Sequence, residues 1–315
     1  MPDFSDMITS DASSDPLIPT PVSAQIIKEM SQGSAVVQLA RRVTMSTKTQ
    51  RQPVLSLLPT AYFVSGDTGL KQTSKQDWEN LTLVAEELAV IVPIPENYLS
   101  DAQVPIWDEV RPEIVAAFGR KIDLACLFGV DKPSTWGDAI EPTAELKGNV
   151  VTEGEGSDLA ADISATASKV AADGFGVTGF ASGATLDWRL IDMRNSQGTP
   201  IFVQSLQDNV PSRIYGRELG AIVSGGWDDT RATLIAGDWT KAIIGMRQDI
   251  SFKVFTEGVI TDSDGKVLLN LMQQDSVALR ATMRLGWVVA NPVTAINPNA
   301  ATRYPFSVLE PANAS

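Results

Sequence analysis

The clearest pattern in the chain is an alternation of apolar and other side chains near its C-terminal end. In DSVALRATMRLGWVV the apolar positions are Val277, Leu279, Ala281, Met283, Leu285 and Trp287. A period of two over about ten residues predicts a long β-strand with one face on the core. Upstream, ISFKVFTEGVI and VLLNL flank residues 262–265, and their Asp-Ser-Asp-Gly sequence predicts a hairpin turn.

A second pattern has the three- and four-residue spacing of an amphipathic helix. It runs through VPIWDEVRPEIVAAFGRKIDLACLFG, with apolar positions at Trp107, Val110, Ile114, Phe118, Ile122 and Ala125. A cap at Ser100 or Asp101 and a stop at Gly129 predict a helix over residues 101–128, about 40 Å long. Pro112 lies inside it and removes one backbone hydrogen bond, so we expect a bend there.

The other patterns are shorter and mix helices with strands. Residues 21–33 predict a short helix, SAVVQLARRVTM predicts extended chain, and LTLVAEELAVIVPI predicts a strand. Residues 46–76 place short apolar runs between Pro, Gly and polar clusters, which predicts a hairpin-like excursion that needs a neighbour to pack on. Helices are predicted at LAADISATASKVAA and ATLDWRLIDMR, and strands at PIFVQSL, ELGAIVSG, ATLIAGDW and AIIGMR. Because no regular βαβ rhythm appears, the predicted class is α+β.

Composition removes several classes of function. The 315 residues include no histidine and one cysteine, which excludes histidine bases, the serine and cysteine triads and histidine-ligated zinc. The apolar helical setting of that cysteine, Cys126, predicts a core position. A net charge of −13 argues against a basic surface that wraps nucleic acid. No apolar run predicts a membrane span, and residues 1–20, acidic and low in bulky apolar residues, predict a mobile or partner-ordered arm rather than a signal peptide.

Several short motifs match known sites in letters alone. Gly174-Phe-Gly176-Val-Thr-Gly179 follows a predicted helix, which favours a glycine turn over a dinucleotide site. Asp67-Thr68-Gly69 has no second copy, so a turn is favoured over an aspartic-protease dyad. The acids of the long helix are scattered around its axis and interleaved with Arg and Lys, which favours a solvated or interface-facing side: Asp108, Glu109, Glu113 and Asp123. A carboxylate-based hydrolase using Asp67 or Asp108 is a weak alternative, and we predict no catalytic, cofactor or metal site.

Four longer phrases follow one another along the chain. They are VSAQIIKEMSQGSAVVQLARRVTM, PIPENYLSDAQVPIWDEVRPEIVAAFGRKIDLACLFG, GDWTKAIIGMRQDISFKV and DSVALRATMRLGWVVANPVTAI. Taken together, the phrases resemble the major capsid protein of tailed bacteriophages with the Hong Kong 97 fold. In the second phrase Asp101, Asp123, Ala125, Leu127 and Gly129 fit the family's spine-helix pattern.

The resemblance implies a division of the chain and a function. The division is an N-terminal arm at 1–45, an E-loop at 46–76, a peripheral domain at 77–150 and 276–300 with a spine helix at 101–128, an axial domain at 151–275 and a C-terminal tail at 301–315. Copies would assemble as pentamers and hexamers into an icosahedral shell around double-stranded DNA, in the cytoplasm of a bacterial host and with no membrane. Separate scaffolding, portal and decoration proteins are candidate partners. The alternative is an encapsulin-type nanocompartment shell.

Ten residues are candidates for contacts between subunits. They lie at the end of the arm, in or beside the E-loop, or on the long helix: Arg41, Arg42, Arg51, Tyr62, Lys71, Lys75, Trp78, Trp107, Glu109 and Glu113. Some members of the family weld an E-loop lysine to an asparagine of a neighbour. Lys71, Lys75 and Asn291 are the residue types required, but no motif singles them out, so covalent crosslinking is not predicted.

Overall fold

The computed structural model describes residues 34–59, 74, 76–101, 106–193, 213–262 and 264–312, without the side chains of Asp101, Ile106, Asp108 and Glu109. The predicted arm at 1–20, helix at 21–33, strand at PIFVQSL and hairpin tip lie outside these residues.

The helices are α1 Ala35–Leu39, α2 Glu96–Asp101, α3 Ile106–Asp123, α4 Ile140–Lys147, α5 Leu159–Ala172 and α6 Thr185–Asp192. The strands are β1 Arg41–Thr44, β2 Thr49–Leu57, β3 Asp77–Val84, β4 Glu86–Pro95, β5 Val150–Thr152, β6 Gly179–Gly183, β7 Arg213–Ile214, β8 Arg217–Ile222, β9 Leu234–Gly237, β10 Ala242–Phe255, β11 Val259–Thr261, β12 Val267–Asn270, β13 Ser276–Val289 and β14 Phe306–Glu310. The mixed α+β class is confirmed.

Four strands form sheet A, in the order β1-β10-β13-β4. The alternating segment forms β13, as predicted, and pairs antiparallel with both neighbours. AIIGMR and ISFKVF, predicted separately, form one strand, β10. The polar residues between them lie where the register shifts between Met246 and Ser251, so a bulge carries the strand through its polar middle.

Six strands form sheet B, in the order β5-β14-β9-β6-β8-β7. Sequence analysis did not predict β5, β6 or β14. GFASG in β6 is buried at all five positions, and FSVLE in β14 at its first four. Strands covered on both faces lose the alternation that identifies a half-buried strand. Residues 306–310, placed in a C-terminal tail by the resemblance, therefore lie inside the sheet between β5 and β9.

The long helix consists of α3 followed by a π-helical turn, Leu124–Phe128. It ends at Gly129, whose φ of 74° is the left-handed conformation of a helix stop, as predicted. The described span of residues 106–128 is about 35 Å long at 1.5 Å per residue, and residues 102–105 lie outside the described part. Pro112 lies within α3. Ile114, Phe118 and Cys126 are buried in one core cluster with the inward face of β13, which confirms the predicted core position of Cys126.

Residues 35–39 form a helix, so the prediction of extended chain is wrong there and holds for β1. The physical reasons are a side-chain cap at the start of the helix and the burial of its apolar side chains. Ser34 Oγ accepts a hydrogen bond from Val37 N (3.1 Å), and Ala35, Val36 and Val37 are buried. The β-branched side chains fix α1 by burial, against the helix propensity of AVVQL.

Two of the predicted turns are confirmed. Gly174 has φ 83° and follows α5, so the G-x-G-x-x-G letters form a turn before β6. Asp262 Oδ1 accepts hydrogen bonds from Asp264 N (3.0 Å) and Lys266 N (2.8 Å) between β11 and β12. Helix α4 was not predicted, because IEPTAELK follows a loop rich in Pro and Gly. Its buried Glu141 forms an ion pair with Arg231, a contact that no local pattern indicates.

Candidate functional site

Strands β2 and β3 pair with each other from Thr49↔Val84 to Leu57↔Asp77 and, within the described ranges, with no third strand. We call these two strands the ribbon. A hairpin-like excursion was predicted over residues 46–76, and a hairpin is present. Its returning strand, however, lies at 77–84, beyond the predicted end. The cause is that LTLV, predicted as the start of one strand with EELAVIVPI, pairs back onto β2, and Ala85 separates β3 from β4.

The inner end of the ribbon is packed on sheet A. Leu83 is fully buried, in a cluster with Met45, Ile243 and Val288. Val54 and Leu81 are partly buried against the same cluster, which makes this end of the ribbon, here called the root, part of the subunit core. Burial of several apolar side chains stabilises this attachment by about 1.5–3 kcal/mol for each fully buried one.

A pair of glycines makes the attachment possible. Gly245 and Gly286 are direct partners across β10 and β13. A Cβ on Gly286 would lie 2.6 Å from the backbone oxygen of Val84, and one on Gly245 would lie 2.3 Å from Leu83 Cδ2. Both distances are too short for real atoms, so the ribbon crosses sheet A at a notch that only glycine provides.

The outer end of the ribbon is exposed on both faces. Trp78 is 60% exposed and Leu57 is 42% exposed, and Asp77, Glu79 and Asn80 around them are also exposed. One tie to the subunit near this end is the hydrogen bond from Val293 N to Leu55 O (3.0 Å). A two-stranded ribbon is marginally stable alone in water, and large exposed apolar side chains mark interaction sites. The outer end therefore offers a surface for another molecule.

Two of the ten sequence candidates lie on the ribbon, about 13 Å apart along it, because Arg51 pairs with Thr82 and Trp78 pairs with Leu55. Arg51 and Trp78 are both exposed on the ribbon. Arg41 and Arg42 are exposed on β1, the edge strand of sheet A, where Arg42 Nε donates to Val37 O (3.0 Å).

The long helix carries the other described candidates. Glu113 is exposed on α3. Trp107 is partly buried against Ile94, so much of its ring faces its own subunit. Tyr62, Lys71 and Lys75, as well as the side chain of Glu109, lie outside the described residues.

The expectation that the acids of the long helix form a polar side is wrong for Asp123. Asp123 is fully buried, and its Oδ1 accepts hydrogen bonds from Ser34 Oγ (2.6 Å) and Val36 N (3.2 Å). Burial raises the pKa of this carboxyl to about 7, and the hydrogen bonds from Ser34 and Val36 oppose that rise. The carboxyl therefore joins the start of α1 to the end of α3. The sequence did contain one signal of this burial, because Asp123 directly precedes the wholly apolar run LACLF.

Asn291 is held inside its own subunit. Its Nδ2 donates to Arg303 O (2.8 Å), while its Oδ1 accepts from Arg303 Nε (3.0 Å). The carboxylate of buried Asp173 accepts hydrogen bonds from Asn149 Nδ2 (2.7 Å) and Tyr304 N (2.9 Å). These bonds join the segments that lead into β5 and β14 to the end of α5. The side chain of Asn291 thus has a structural role. Sequence analysis missed this network, because its members are far apart along the chain.

The described residues provide binding surface rather than an obvious reaction centre. Among them, no group of three or more Cys, Asp or Glu could hold a metal ion. No described helix is both long and apolar enough to cross a membrane. The shifted carboxyl pKa values of Asp123 and Glu141 arise from burial at structural contacts. What the arrangement can do is hold an exposed ribbon at a fixed place on a rigid sheet.

Comparison with known proteins gives consistent matches over nearly the whole chain. Residues 15–298 match the family described as "Phage capsid family". The major capsid protein of Staphylococcus phage 80alpha is 26% identical over 275 residues, which is 84% of this chain and 79% of that protein. A solved structure from Microbacterium phage Oxtober96 is 38% identical, with a TM-score of 0.77 and 95% of each chain covered. One from Mycobacterium phage Cain is 32% identical, with a TM-score of 0.78 and 90% of this chain and 92% of that chain covered.

Proposed function

The chain belongs to the phage capsid family, and we propose that its copies assemble as hexamers and pentamers into an icosahedral shell that encloses double-stranded DNA. A capsid protein is a structural component of the virion and not an enzyme. The carboxylate-hydrolase alternative is therefore wrong. Sequence identity of 38% over 95% of the chain to a phage protein of known structure supports the same assignment.

We propose that the parts of the chain correspond to the Hong Kong 97-type division. The ribbon and the residues between its strands would form the E-loop, and the long helix would be the spine helix. Sheet A would form the peripheral domain, sheet B the axial domain, and the residues before β1 the N-terminal arm. Support comes from the order of elements and from the resemblance of the four sequence phrases.

The observation that carries the assembly proposal is the ribbon. Its root is part of the subunit core, while its outer end presents Trp78 and Leu57 to solvent. Burial of an aromatic side chain at an interface removes about 150–250 Å² from water. At about 25 cal/mol per Å², one such contact contributes a few kcal/mol before the entropy of association is subtracted. A closed shell repeats the contact at every copy, so individually weak contacts stabilise the whole.

No chemical step is required for this function. Shell formation would follow from apolar contacts of the ribbon and polar contacts at its rim. Double-stranded DNA would be enclosed without sequence-specific binding. Scaffolding, portal and decoration proteins are proposed as separate partners, and assembly is proposed to occur in the cytoplasm of a bacterial host.

Electron microscopy of the full chain expressed alone tests the proposal. We expect capsomer rings or closed shells. Dispersed monomers at high concentration would contradict it. Nucleic acid and protein content of shells purified from infected cells separates the two kinds of container: nuclease-protected double-stranded DNA supports the phage capsid, whereas an enclosed enzyme cargo would support the encapsulin-type alternative.

A further inference from the structure

Helix α1 is five residues long and lies between the long helix and sheet B. On the side of sheet B, a Cβ on Gly220 would be 2.9 Å from Leu39 Cδ1. On the other side, Ser34 Oγ and Val36 N donate hydrogen bonds to Asp123 of the long helix. An isolated helix of this length is not stable in water, so these contacts hold α1 in place. Short elements of this kind can open locally while the rest of a subunit stays folded.

The two oxygens of the Asp123 carboxyl have different surroundings. Oδ1 accepts the hydrogen bonds from Ser34 Oγ (2.6 Å) and Val36 N (3.2 Å). Oδ2 is buried and has no hydrogen-bond partner among the described residues. Ionisation places part of the negative charge on Oδ2, where neither a donor nor water balances it. The ionised carboxyl is therefore stabilised by any movement that lets water reach it, whereas the protonated carboxyl is not.

The charged groups near Asp123 do not offset this charge. Among the described residues, no cation lies within ion-pair distance of Asp123. Arg120, one turn earlier on the long helix, donates from Nε to Ser224 O (2.6 Å). Cys126 lies one turn later; burial and then the charge of Asp123 raise the pKa of its thiol, and Lys132 opposes that rise. The surroundings of Asp123 therefore favour its neutral form.

The elements that cover the carboxyl contain no ionisable side chain. Residues 34–40 lie on one side of it, and residues 224–226, between β8 and β9, lie on another. The loop at 224–226 is packed tightly, because a Cβ on Gly226 would be 3.0 Å from Asp123 Cβ. The hydrogen bond from Arg120 also ties this loop to the long helix. We therefore expect α1, rather than the loop, to be the element that moves.

We propose that the contact between α1 and Asp123 is a pH-sensitive latch: protonated Asp123 keeps α1 docked, and ionised Asp123 lets α1 undock in a fraction of subunits. Undocking would release the chain at Ser34 from the long helix while both sheets stay folded. Because the latch lies within one subunit, the inference does not depend on the proposed assembly.

The pKa of Asp123 gives the pH range of the latch. Burial raises this pKa to about 7 while α1 is docked, and when water reaches the carboxyl the pKa returns towards the ordinary 3.8. A pKa that is raised in the docked state favours docking at low pH. Docking is therefore tightest below about pH 4, weakens as the pH rises to about 7, and changes no further above that. The weakening is at most about ten-fold per pH unit.

Amide hydrogen exchange of the full-length protein tests the latch. The amides to follow are those of Gln38 and Ala40, which donate to Ser34 O (3.1 Å) and Val36 O (2.9 Å). Their protection is the measured rate divided into the intrinsic rate at the same pH. From pH 5 to pH 7 we expect this protection to fall by about ten-fold or more. At pH 7 it should also be lower than that of β13, because α1 opens without unfolding of the sheet.

Three variants separate the latch from general effects on stability. Asp123→Asn keeps a neutral side chain at every pH, so the pH dependence of α1 protection should disappear. Ser34→Ala removes a hydrogen bond that opposes the raised pKa, so the transition should move to higher pH. Asp162→Asn is the matched control, because Asp162 is a buried acid that accepts from Gly154 N (2.8 Å) and Gly156 N (2.6 Å), away from α1. It should leave the pH dependence of α1 protection as in the parent.

Three results would overturn the latch. The first is α1 protection that does not vary between pH 5 and pH 7, and the second is variation that persists in Asp123→Asn. The third is α1 protection equal to that of β13 at every pH, which would mean that α1 opens only when the subunit unfolds. If Asp123→Asn does not fold, a transition in Ser34→Ala that stays in place or moves to lower pH overturns it instead. Shells that form normally in any of these cases leave the proposed function intact.

Discussion

The two ends of the ribbon belong to the same pair of strands and have opposite surroundings. At the root, Leu83 is fully buried and the backbone of Val84 lies in the notch at Gly286. At the outer end, Trp78 is 60% exposed and, among the strands that the structure describes, its strand pairs with β2 alone. One end is fixed by its own subunit, and the other is exposed and is the part that we propose a neighbouring subunit covers.

This difference separates two kinds of effect. Changes at the root alter the folding of the subunit and, through it, the position of the ribbon. Changes at the outer end should leave the isolated subunit unaltered and, if the proposed assembly contact is correct, remove a contact between subunits. The unfolding free energy of the subunit and the yield of shells are therefore separate measurements. A change at the root should lower both, whereas a change at the outer end should lower the yield of shells alone.

Among changes to the ribbon and its attachment to sheet A, the largest expected effect on the subunit is at the notch. Gly286→Val places a side chain where a Cβ alone would be 2.6 Å from Val84 O, so the ribbon must leave the sheet. We expect a loss of about 1–3 kcal/mol in the free energy of unfolding and no shells. Gly176→Val is the matched control, because nothing lies within 4 Å of a Cβ there. Urea unfolding of the subunit measures both, and an unaltered Gly286→Val subunit would contradict the notch.

A second buried attachment, the carboxyl of Asp123, gives an effect that depends on pH. The folded pKa of Asp123, about 7, lies above the ordinary aspartate value of 3.8, so the folded state binds the extra proton. Its stabilisation is complete below about pH 4 and is lost as pH rises to about 7, by at most about 1.4 kcal/mol per pH unit.

Asp123→Asn should remove that dependence. The difference in unfolding free energy between the variant and the parent subunit should grow from pH 4 to pH 7 and then stay constant. The other carboxylates are common to both proteins, so their contributions cancel in this difference. The difference is therefore the quantity to measure. A difference that does not vary with pH would mean that Asp123 keeps an ordinary pKa.

The smallest expected effect on the subunit is at the outer end. Trp78→Ser should change the unfolding free energy by less than about 0.5 kcal/mol, because the indole is mostly exposed. Shell yield, scored by electron microscopy, should nevertheless fall strongly. Trp78→Phe retains an aromatic contact and should assemble. A Trp78→Ser protein that forms shells as well as the parent would remove the outer end of the ribbon from the assembly contact.

The elements that could be predicted from sequence are those with one face on the core and one on solvent. β13 and the long helix are of this kind, and both formed as their periodicity indicated. The missed strands β6 and β14 are buried on both faces and show no period. AVVQL was predicted as extended and forms α1, because burial and the Ser34 cap outweigh β-branched propensity.

The sequence could predict that the candidate site is an excursion of the chain, but not which residues attach it to the subunit. Short apolar runs between turn residues indicated an excursion without its own core. The root of the ribbon depends on Gly245 and Gly286, which are 41 residues apart in sequence and meet as strand partners. Asp123 likewise meets Ser34 across 89 residues, and the fold alone turns a helix acid into a buried hydrogen-bond acceptor. Such roles come from tertiary contacts that no local window contains.

The most direct test of the ribbon contact is photo-crosslinking from its outer end. A photoreactive phenylalanine at position 78 should give covalent dimers when assembled shells are irradiated and none when dissociated subunits are irradiated at low concentration. Peptide mapping should place the second attachment point on a different copy of the chain. Crosslinks confined to the same chain, in shells that are intact, would contradict the claim that the ribbon is completed by a neighbouring subunit.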